Sequence, residues 1–429
     1  MMDEPLEKTL LIATYGEPKD EHLSKDHLNE LELLTETYGA AVVGKAACHL
    51  KKCDAATFLS KGKLDEMVDL AKHLGANLVI IDEEISPSQQ RNLEKLFGMP
   101  VIDRSELILE VFAQRALTKE ARLQVELAKL RYESPRLKRL WTHLSRQTGT
   151  SGGGGGGAYL KGEGEKQIEL DRRIIKNKIV KLNQELDHVR LTRQTQRSSR
   201  ERAGIPTFAI IGYTNAGKST LMNALTNAGV LVENKLFATL DTTTRKFALP
   251  DGQEILLIDT VGFIRKLPHH LVAAFKSTLE EALFADVLLN VVDMTDPAVF
   301  EHVETTYEVL KELKASKRPI IHLLNKVDLL EDKAILLKFR LKYPHTLPVS
   351  ALQKTGFDLL LEKITQELQK RSKTMELRIP QKDYAVVSEI TRVGRVIHTD
   401  YDGNDILLKV ELPNDLAGKF LHYADEALN

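Results

Sequence analysis

Gly212-Tyr213-Thr214-Asn215-Ala216-Gly217-Lys218-Ser219-Thr220 decides how this chain is read. It follows an apolar run, Phe208-Ala-Ile-Ile211, and opens an amphipathic one, Leu221-Met-Asn-Ala-Leu225, so the order predicted is strand, loop, helix. The loop fits G-x-x-x-x-G-K-[ST] without mismatch. Its glycines let backbone N–H groups wrap phosphates, and the helix N-terminus adds the positive end of its dipole. Gly212, Asn215, Ala216, Gly217 and Thr220 are therefore expected to line a nucleoside triphosphate. Lys218 should reach the β- and γ-phosphates, and the Ser219 hydroxyl should ligate Mg²⁺. The bland alternative, a glycine-rich turn with a solvated lysine, does not account for the flanking strand and helix patterns.

About a hundred residues on, Pro319-Ile-Ile-His-Leu-Leu324 reads as a buried strand that delivers Asn325-Lys326-Val327-Asp328 at its carboxyl end. In a doubly wound sheet that edge is where ligands bind. Asn325-Lys326-x-Asp328 resembles the guanine-reading motif of the GTPase superfamily. Asp328 can accept from guanine N1–H and the exocyclic amine together, whereas adenine would leave a buried carboxylate unpaired. Val349-Ser350-Ala351 follows a further short strand and resembles the loop whose backbone N–H meets guanine O6.

Between these segments, Glu254-Ile-Leu-Leu-Ile258 reads as a strand ending in Asp259-Thr-Val-Gly262. Asp259 fits the role of holding Mg²⁺, and the Gly262 N–H that of contacting the γ-phosphate. Upstream, Leu236-Phe-Ala-Thr239-Leu-Asp241 occupies the place of a first switch loop, with Thr239 as the second hydroxyl ligand of Mg²⁺ and Thr242, Thr243 and Thr244 as neighbouring alternatives. The residue after Gly262 is Phe263, which cannot hydrogen-bond an attacking water as glutamine does in many regulatory GTPases. Intrinsic hydrolysis should then be slow or draw on a group from elsewhere. Asn215 is one such source, because Thr214-Asn215-Ala216-Gly217 resembles GTPases in which the asparagine helps to hold a potassium ion against the phosphates. The expected catalytic set is Lys218, Thr239, Gly262 and Asn215; the expected substrate is GTP, with Mg²⁺ and K⁺ as ions.

The chain has 429 residues and a formal charge of −1, an ordinary balance for a soluble globular protein of two to four domains. Cys48 and Cys53 are its only cysteines, too few for a disulfide scaffold or a zinc site. Met1-Met-Asp-Glu-Pro5 is no signal peptide, and no run approaches the roughly twenty apolar residues of a membrane span. A monomer in the cytoplasm is expected, without integral membrane association and with peripheral attachment left open.

Within an N-terminal domain over 1–104, residues 9–104 alternate strand-like runs (Leu10–Ala13, Ala41–Val43, Leu78–Ile81, Val101–Ile102) with helices at Leu64–Leu74 and Ser88–Phe97, the latter opened by Ser86-Pro87. They predict a small parallel sheet; Asp82, Asp103 and Arg104 at its strand ends read as caps or ion pairs in preference to catalysts. Residues 105–203 turn helical. Leu123, Leu127, Leu130, Leu137, Trp141 and Leu144 follow 4-3 spacing, as do Ile168, Ile175, Ile179, Leu182, Leu186 and Val189. An antiparallel hairpin is expected, kinked at Pro135, with a glycine-rich tip loop over 148–165. Residues 115–202 hold 21 Lys/Arg against 10 Asp/Glu. Arg136, Lys138, Arg139 and Arg146, then Arg172, Arg173 and Lys176, with Tyr159 and Lys161 near the tip, are the expected RNA contacts. A GTPase domain over 204–370 and a small α/β domain over 376–429 complete the reading. In the tail, strands are expected around Tyr384–Ile390 and Ile406–Leu412, a turn at Asp402-Gly-Asn404, and a linker at Arg371–Thr374. The fold class is α/β multidomain: N-terminal α/β domain, helical hairpin, doubly wound P-loop GTPase domain and C-terminal α/β domain.

Taken together, the chain resembles an HflX-type GTPase. The phosphate loop, Phe237-Ala-Thr-Leu-Asp241 and Asp259-Thr-Val-Gly-Phe263 carry the likeness. So do Ile85-Ser-Pro-Ser-Gln89, Val101-Ile-Asp-Arg104, Gln124-Val-Glu-Leu-Ala128 and Glu169-Leu-Asp-Arg-Arg173. The resemblance implies a hydrophobic residue in place of the catalytic glutamine, binding to the large ribosomal subunit and its RNA, and a role in splitting stalled or idle ribosomes under stress. It also implies that the glycine-rich tip approaches the peptidyl-transferase region, although Lys161-Gly-Glu163-Gly-Glu165 replaces the arginine and proline usual there. Two alternatives stay open: a GTPase of ribosome assembly or tRNA modification, and an ATP-driven RNA remodeller with a second, ATP-hydrolysing site in the N-terminal domain.

Overall fold

The computed structural model describes residues 7–137, 159–202, 205–226, 236–237, 242–267, 284–315 and 318–424. These fall into two compact units, the first built on residues 1–189 with the segments 234–240 and 266–276, the second on the remainder.

In the first unit, β1 (Lys8–Tyr15), β2 (Ala41–His49), β3 (Leu78–Ile81) and β4 (Val101–Asp103) form a parallel sheet in the order β2-β1-β3-β4. All four expected strands are present. β2 runs well past its apolar run because it is an edge strand, half exposed, whose outer residues need not be apolar. Helices α1 (Glu21–Tyr38), α2 (Lys61–His73) and α3 (Pro87–Phe97) alternate with the strands. At the start of α3, the Ser86 hydroxyl accepts from the Gln89 N–H while the Gln89 side chain accepts from the Ser86 N–H. Leu10, Ile12, Val79, Ile81, Leu93 and Val101 form the centre of the core.

Helices α4 (Arg104–Arg115), α5 (Lys119–Glu133) and α6 (Tyr159–Arg202) follow. Leu123, Leu127 and Leu130 of α5 pack with Ile179, Leu182 and Leu186 of α6, which are six of the residues picked out by 4-3 spacing. Pro135 ends the α-helix instead of kinking it: α5 stops at Glu133 and a 3₁₀ turn spans Ser134–Arg136. The tip loop is shorter than expected, since α6 already begins at Tyr159. Lys138, Arg139 and Arg146 lie outside the described residues, as do the side chains of Tyr159 and Lys161.

Arg136 is a correction to the basic RNA-facing cluster. Its side chain is buried, with Nη2 donating to Ile85 O at 2.8 Å and Asp103 Oδ2 at 3.2 Å, and Nη1 to Tyr132 O at 3.2 Å. The guanidinium lies 3.6 Å from the centre of the Tyr132 ring. Asp103 also caps α4 by accepting from the Glu106 N–H, and burial pushes its carboxyl up to about 6. Arg104, equally buried, pairs with Asp82 at 2.9 Å and Glu30 at 3.0 Å. The charged residues at the strand ends are thus structural. Arg172, Arg173 and Lys176 on α6, by contrast, are exposed.

In the second unit, β5 (Thr207–Gly212), β6 (Thr243–Ala248), β7 (Glu254–Asp259), β8 (Val287–Asp293), β9 (Ile320–Asn325) and β10 (Thr346–Pro348) form a sheet in the order β10-β9-β8-β5-β7-β6. Only β6 is antiparallel to its neighbour. Helices α7 (Lys218–Thr226), α8 (Val299–Glu312), α9 (Ala334–Lys342) and α10 (Phe357–Gln369) accompany it. The strand order reverses at β5, so the loop after β5 sits at the switch point where doubly wound sheets bind ligands.

The tail adds an antiparallel sheet, β11 (Ser372–Pro380), β12 (Arg395–Asp402) and β13 (Asp405–Pro413), in the order β11-β13-β12, with α11 (Tyr384–Val393) against it. Residues 372–374, expected as linker, belong to β11. Tyr384–Ile390, expected as a strand, is helical. Its valines and isoleucine suggested β-structure, but Val386, Val387, Ile390 and Val393 share one helical face, and that face packs on the sheet. The turn falls at Gly403 with φ +61°, as expected. No described helix is long and apolar enough to cross a membrane.

Candidate functional site

The loop 212–218 is shaped by three residues with positive φ: Gly212 (+138°), Asn215 (+60°) and Gly217 (+96°). Gly212 and Gly217 have no alternative here. A Cβ would lie 2.2 Å from Val291 O at the first and 2.3 Å from Asn325 Nδ2 at the second. Asn215 stands exposed at the bend, in a conformation that asparagine tolerates.

Lys218 is nearly inaccessible, and its Nζ donates to Tyr213 O at 2.6 Å and Gly212 O at 3.2 Å. Burial lowers its ammonium pKa to about 8, opposed by the charge of Asp259. The Ser219 hydroxyl donates to Asp259 Oδ2 at 2.7 Å, with the carboxylate fully buried. One hydroxyl and one carboxylate, both hard oxygen donors beside a phosphate loop, fit Mg²⁺, which keeps several waters and takes few protein ligands. When bound, that ion neutralises phosphate charge. Thr239 lies outside the described residues, whereas Thr243 and Thr244 are in the β6 ladder, Thr243 opposite Asp259.

The segment after Asp259 is fastened to the phosphate loop. Thr260 Oγ1 donates to Ile210 O at 2.8 Å. Phe263 N donates to Gly212 O at 3.0 Å, and Thr214 N donates to Phe263 O at 2.8 Å. Gly262 is thereby wedged in: a Cβ there would come within 2.8 Å of Lys218 Nζ and 2.9 Å of Thr214 Cα. Phe263 is buried, and its ring carries no group that could hydrogen-bond a water.

On the base side, Asn325 works as a tie. Its Nδ2 donates to Ala216 O at 2.8 Å and its Oδ1 accepts from Ala351 N at 2.9 Å, joining the phosphate loop to the Ser350-Ala351 loop. Of the 349–351 loop expected to offer a backbone N–H to the base, the Ala351 N–H is engaged by Asn325. The Ser350 hydroxyl accepts from Gln353 N at 3.1 Å, which closes the turn. Lys326, with φ +62°, pairs with Asp293 at 2.6 Å, and Asp328 is half-buried on the following turn. Among the described residues no three His, Cys, Asp or Glu converge as a metal cluster.

The structure brings the expected residues Gly212, Ala216, Gly217, Lys218, Ser219, Thr220, Asp259, Gly262, Asn325, Asp328 and Ser350 together at the carboxyl edge of one sheet, on strand ends, on the loops that follow them and on the first turn of α7. The sequence did not single out Asp293, which pairs with Lys326, or Tyr213 and His302, whose rings stack beside the phosphate loop. Asp293 ends β8 and could have been suspected from its place; His302 had no local signal at all.

The Lys218 pKa gives a thermodynamic handle. At pH 8 the amine is about half protonated in the free protein, and phosphate charge favours the ammonium. GTP binding at pH 8 should therefore take up roughly half a proton, and none by pH 6.5 from this group. Calorimetry in buffers of different ionisation enthalpy reads this directly; no uptake at pH 8 would mean that Lys218 is fully charged before nucleotide arrives.

Three family models match the chain in tandem: a GTP-binding GTPase N-terminal region at residues 25–113, a GTP-binding GTPase middle region at 115–200, and a 50S ribosome-binding GTPase at 207–326. A GTPase HflX of Chlamydia pneumoniae is 49% identical over 414 residues, 96% of this chain and 87% of the relative. A GTPase HflX of Escherichia coli is 40% identical over 411 residues, 95% of this chain and 94% of the relative. A solved GTP-binding protein from Sulfolobus solfataricus in complex with GDP is similar over 84% of this chain and 98% of its own, with 27% identity and a TM-score of 0.42.

Proposed function

The chain belongs to the HflX family of GTPases, and from that premise we propose that it is a GTP-hydrolysing switch that binds the large ribosomal subunit and promotes dissociation or rescue of stalled or idle ribosomes under stress. The observation that carries this reading is a phosphate loop with Lys218 and the Ser219–Asp259 pair in place, beside a buried Phe263 that cannot orient water. Such a site binds GTP but waits for a partner to complete it.

Ribosomal RNA is the partner chemistry that suits the exposed basic face of α6, with Arg172, Arg173 and Lys176. The name of the matched GTPase model, a 50S ribosome-binding GTPase, points the same way. GTP, held through Lys218, Gly262 and Asp328, would order the loops around the γ-phosphate and favour the subunit-binding form. By linkage, subunit binding favours the hydrolysis-competent form, and hydrolysis releases the factor. Asn215 at the loop's bend would hold a potassium ion that supplies positive charge beside the phosphates. ATP turnover, where present, would belong to a separate site in the N-terminal unit, and the working location would be the cytoplasm.

The test is GTP hydrolysis with and without purified large subunits, in potassium and in sodium. Stimulation of an order of magnitude or more by the subunit, larger in potassium, is expected. Fast hydrolysis by the protein alone would break the link between Phe263 and a partner-completed site. Equal rates in the two salts would remove the potassium ion from the reading.

A further inference from the structure

Tyr213 occupies one of the variable positions of the phosphate loop, yet it is nearly buried and its ring is clamped. The imidazole of His302, from the first turn of α8, stacks on it with centroids 3.6 Å apart and planes within 8°. Its hydroxyl accepts from the backbone N–H of Arg265 at 2.7 Å. Its backbone flanks the two hydrogen bonds by which Gly212 and Thr214 grip Phe263, and it forms a parallel bridge with that residue. One side chain thus ties the phosphate loop to the stretch that presents Gly262 to the γ-phosphate.

We infer that Tyr213 is a positioning residue for hydrolysis: its hydroxyl, with the ring plane fixed by His302, holds the Phe263–Arg265 segment against the phosphate loop and so sets turnover. The inference rests on the GTPase reading and adds to it a residue that does not touch the reacting atoms. A backbone N–H three residues past Gly262 is anchored to a rigid ring, so Gly262 loses freedom to move away from the γ-phosphate. Where the usual water-orienting glutamine is missing, such preorganisation carries more of the rate. GDP has no γ-phosphate and is insensitive to where Gly262 stands.

Tyr213→Phe keeps the ring and removes the hydroxyl. The expected result is a kcat lower by roughly 3- to 10-fold, the range of one hydrogen bond, with KM for GTP and the dissociation constant for GDP within twofold of the unmodified protein. His302→Ala should fall in the same direction, and His302→Phe, which preserves stacking, should recover most of the loss. Unchanged kcat in Tyr213→Phe would overturn the inference. Equal losses in GDP affinity and kcat would also overturn it, because they would mark Tyr213 as a general support of the loop. Failure of the unmodified protein to bind GDP would instead strike the GTPase reading itself, so the two failures are distinguishable.

Discussion

Lys218→Ala is expected to lower GTP turnover by roughly 10²- to 10³-fold, or about 3–4 kcal/mol of transition-state stabilisation. The amine is the one buried cation in the described phosphate loop, and its two carbonyl partners, Gly212 O and Tyr213 O, hold it inside the loop that the proposed function wraps around the phosphates. An ammonium in that setting acts far more strongly than one in water, and alanine leaves nothing in its place. Arginine is not expected to rescue, since the enclosure fits a compact point charge. GTP-dependent binding to large subunits should be lost together with turnover. A nucleotide-free Lys218→Ala protein that still bound subunits in a GTP-dependent way would overturn the switch mechanism. ATP hydrolysis surviving the substitution would locate a second catalytic site.

The second large effect is on stability. Arg136→Ala should destabilise the N-terminal unit by about 3–5 kcal/mol, because it strips a buried carboxylate of its ionic partner and leaves the Ile85 and Tyr132 carbonyls short of a donor. The effect should depend on pH, with a sign that follows from Asp103. Its carboxyl is raised above the unfolded value already, so its contribution is fully present below about pH 4 and is lost as pH rises through about 6. Without Arg136 the folded value moves higher still. The deficit of the variant should therefore be larger at pH 8 than at pH 5. Thermal melts at the two pH values provide the check. Arg172→Ala and Arg173→Ala, on an exposed helical face, should shift stability by no more than about 0.5 kcal/mol while flattening the salt dependence of RNA binding. A stable Arg136→Ala protein with weakened RNA binding would restore that arginine to the RNA-facing cluster.

Arg136 marks where reading from sequence reaches its limit. Four basic residues within eleven positions look like a solvated cluster, and charge density does not say which member turns inward. That depended on Asp103, thirty-three residues away in the chain, needing a partner in the core. Tyr384–Ile390 failed for a related reason. β-branched composition is a local preference, whereas the i, i+1, i+4, i+7 placement of Val386, Val387, Ile390 and Val393 becomes a helix only with a sheet to pack on. Pro135 was expected to kink the helix and instead ends it, since a lost N–H permits either outcome.

The sequence by itself determined where nucleotide chemistry is expected: the loop 212–220, Asp259 to Gly262, and Asn325 to Asp328 are short, ordered motifs whose residue types suit phosphate, magnesium and guanine. It also determined the alternation behind the parallel sheet of the first unit and the mostly parallel sheet of the second, and the 4-3 stripe that pairs α5 with α6. Only the tertiary structure decided what holds those motifs in place: Asn325 tied to Ala216 and Ala351, Tyr213 gripping Arg265 under His302, and Arg136 neutralising Asp103. Motifs are legible because a ligand imposes their chemistry on neighbouring positions. The supports are not, because a hydrogen bond or a stacked ring constrains only distance in space, and residues 89 positions apart such as Tyr213 and His302 carry no mark of it in the chain.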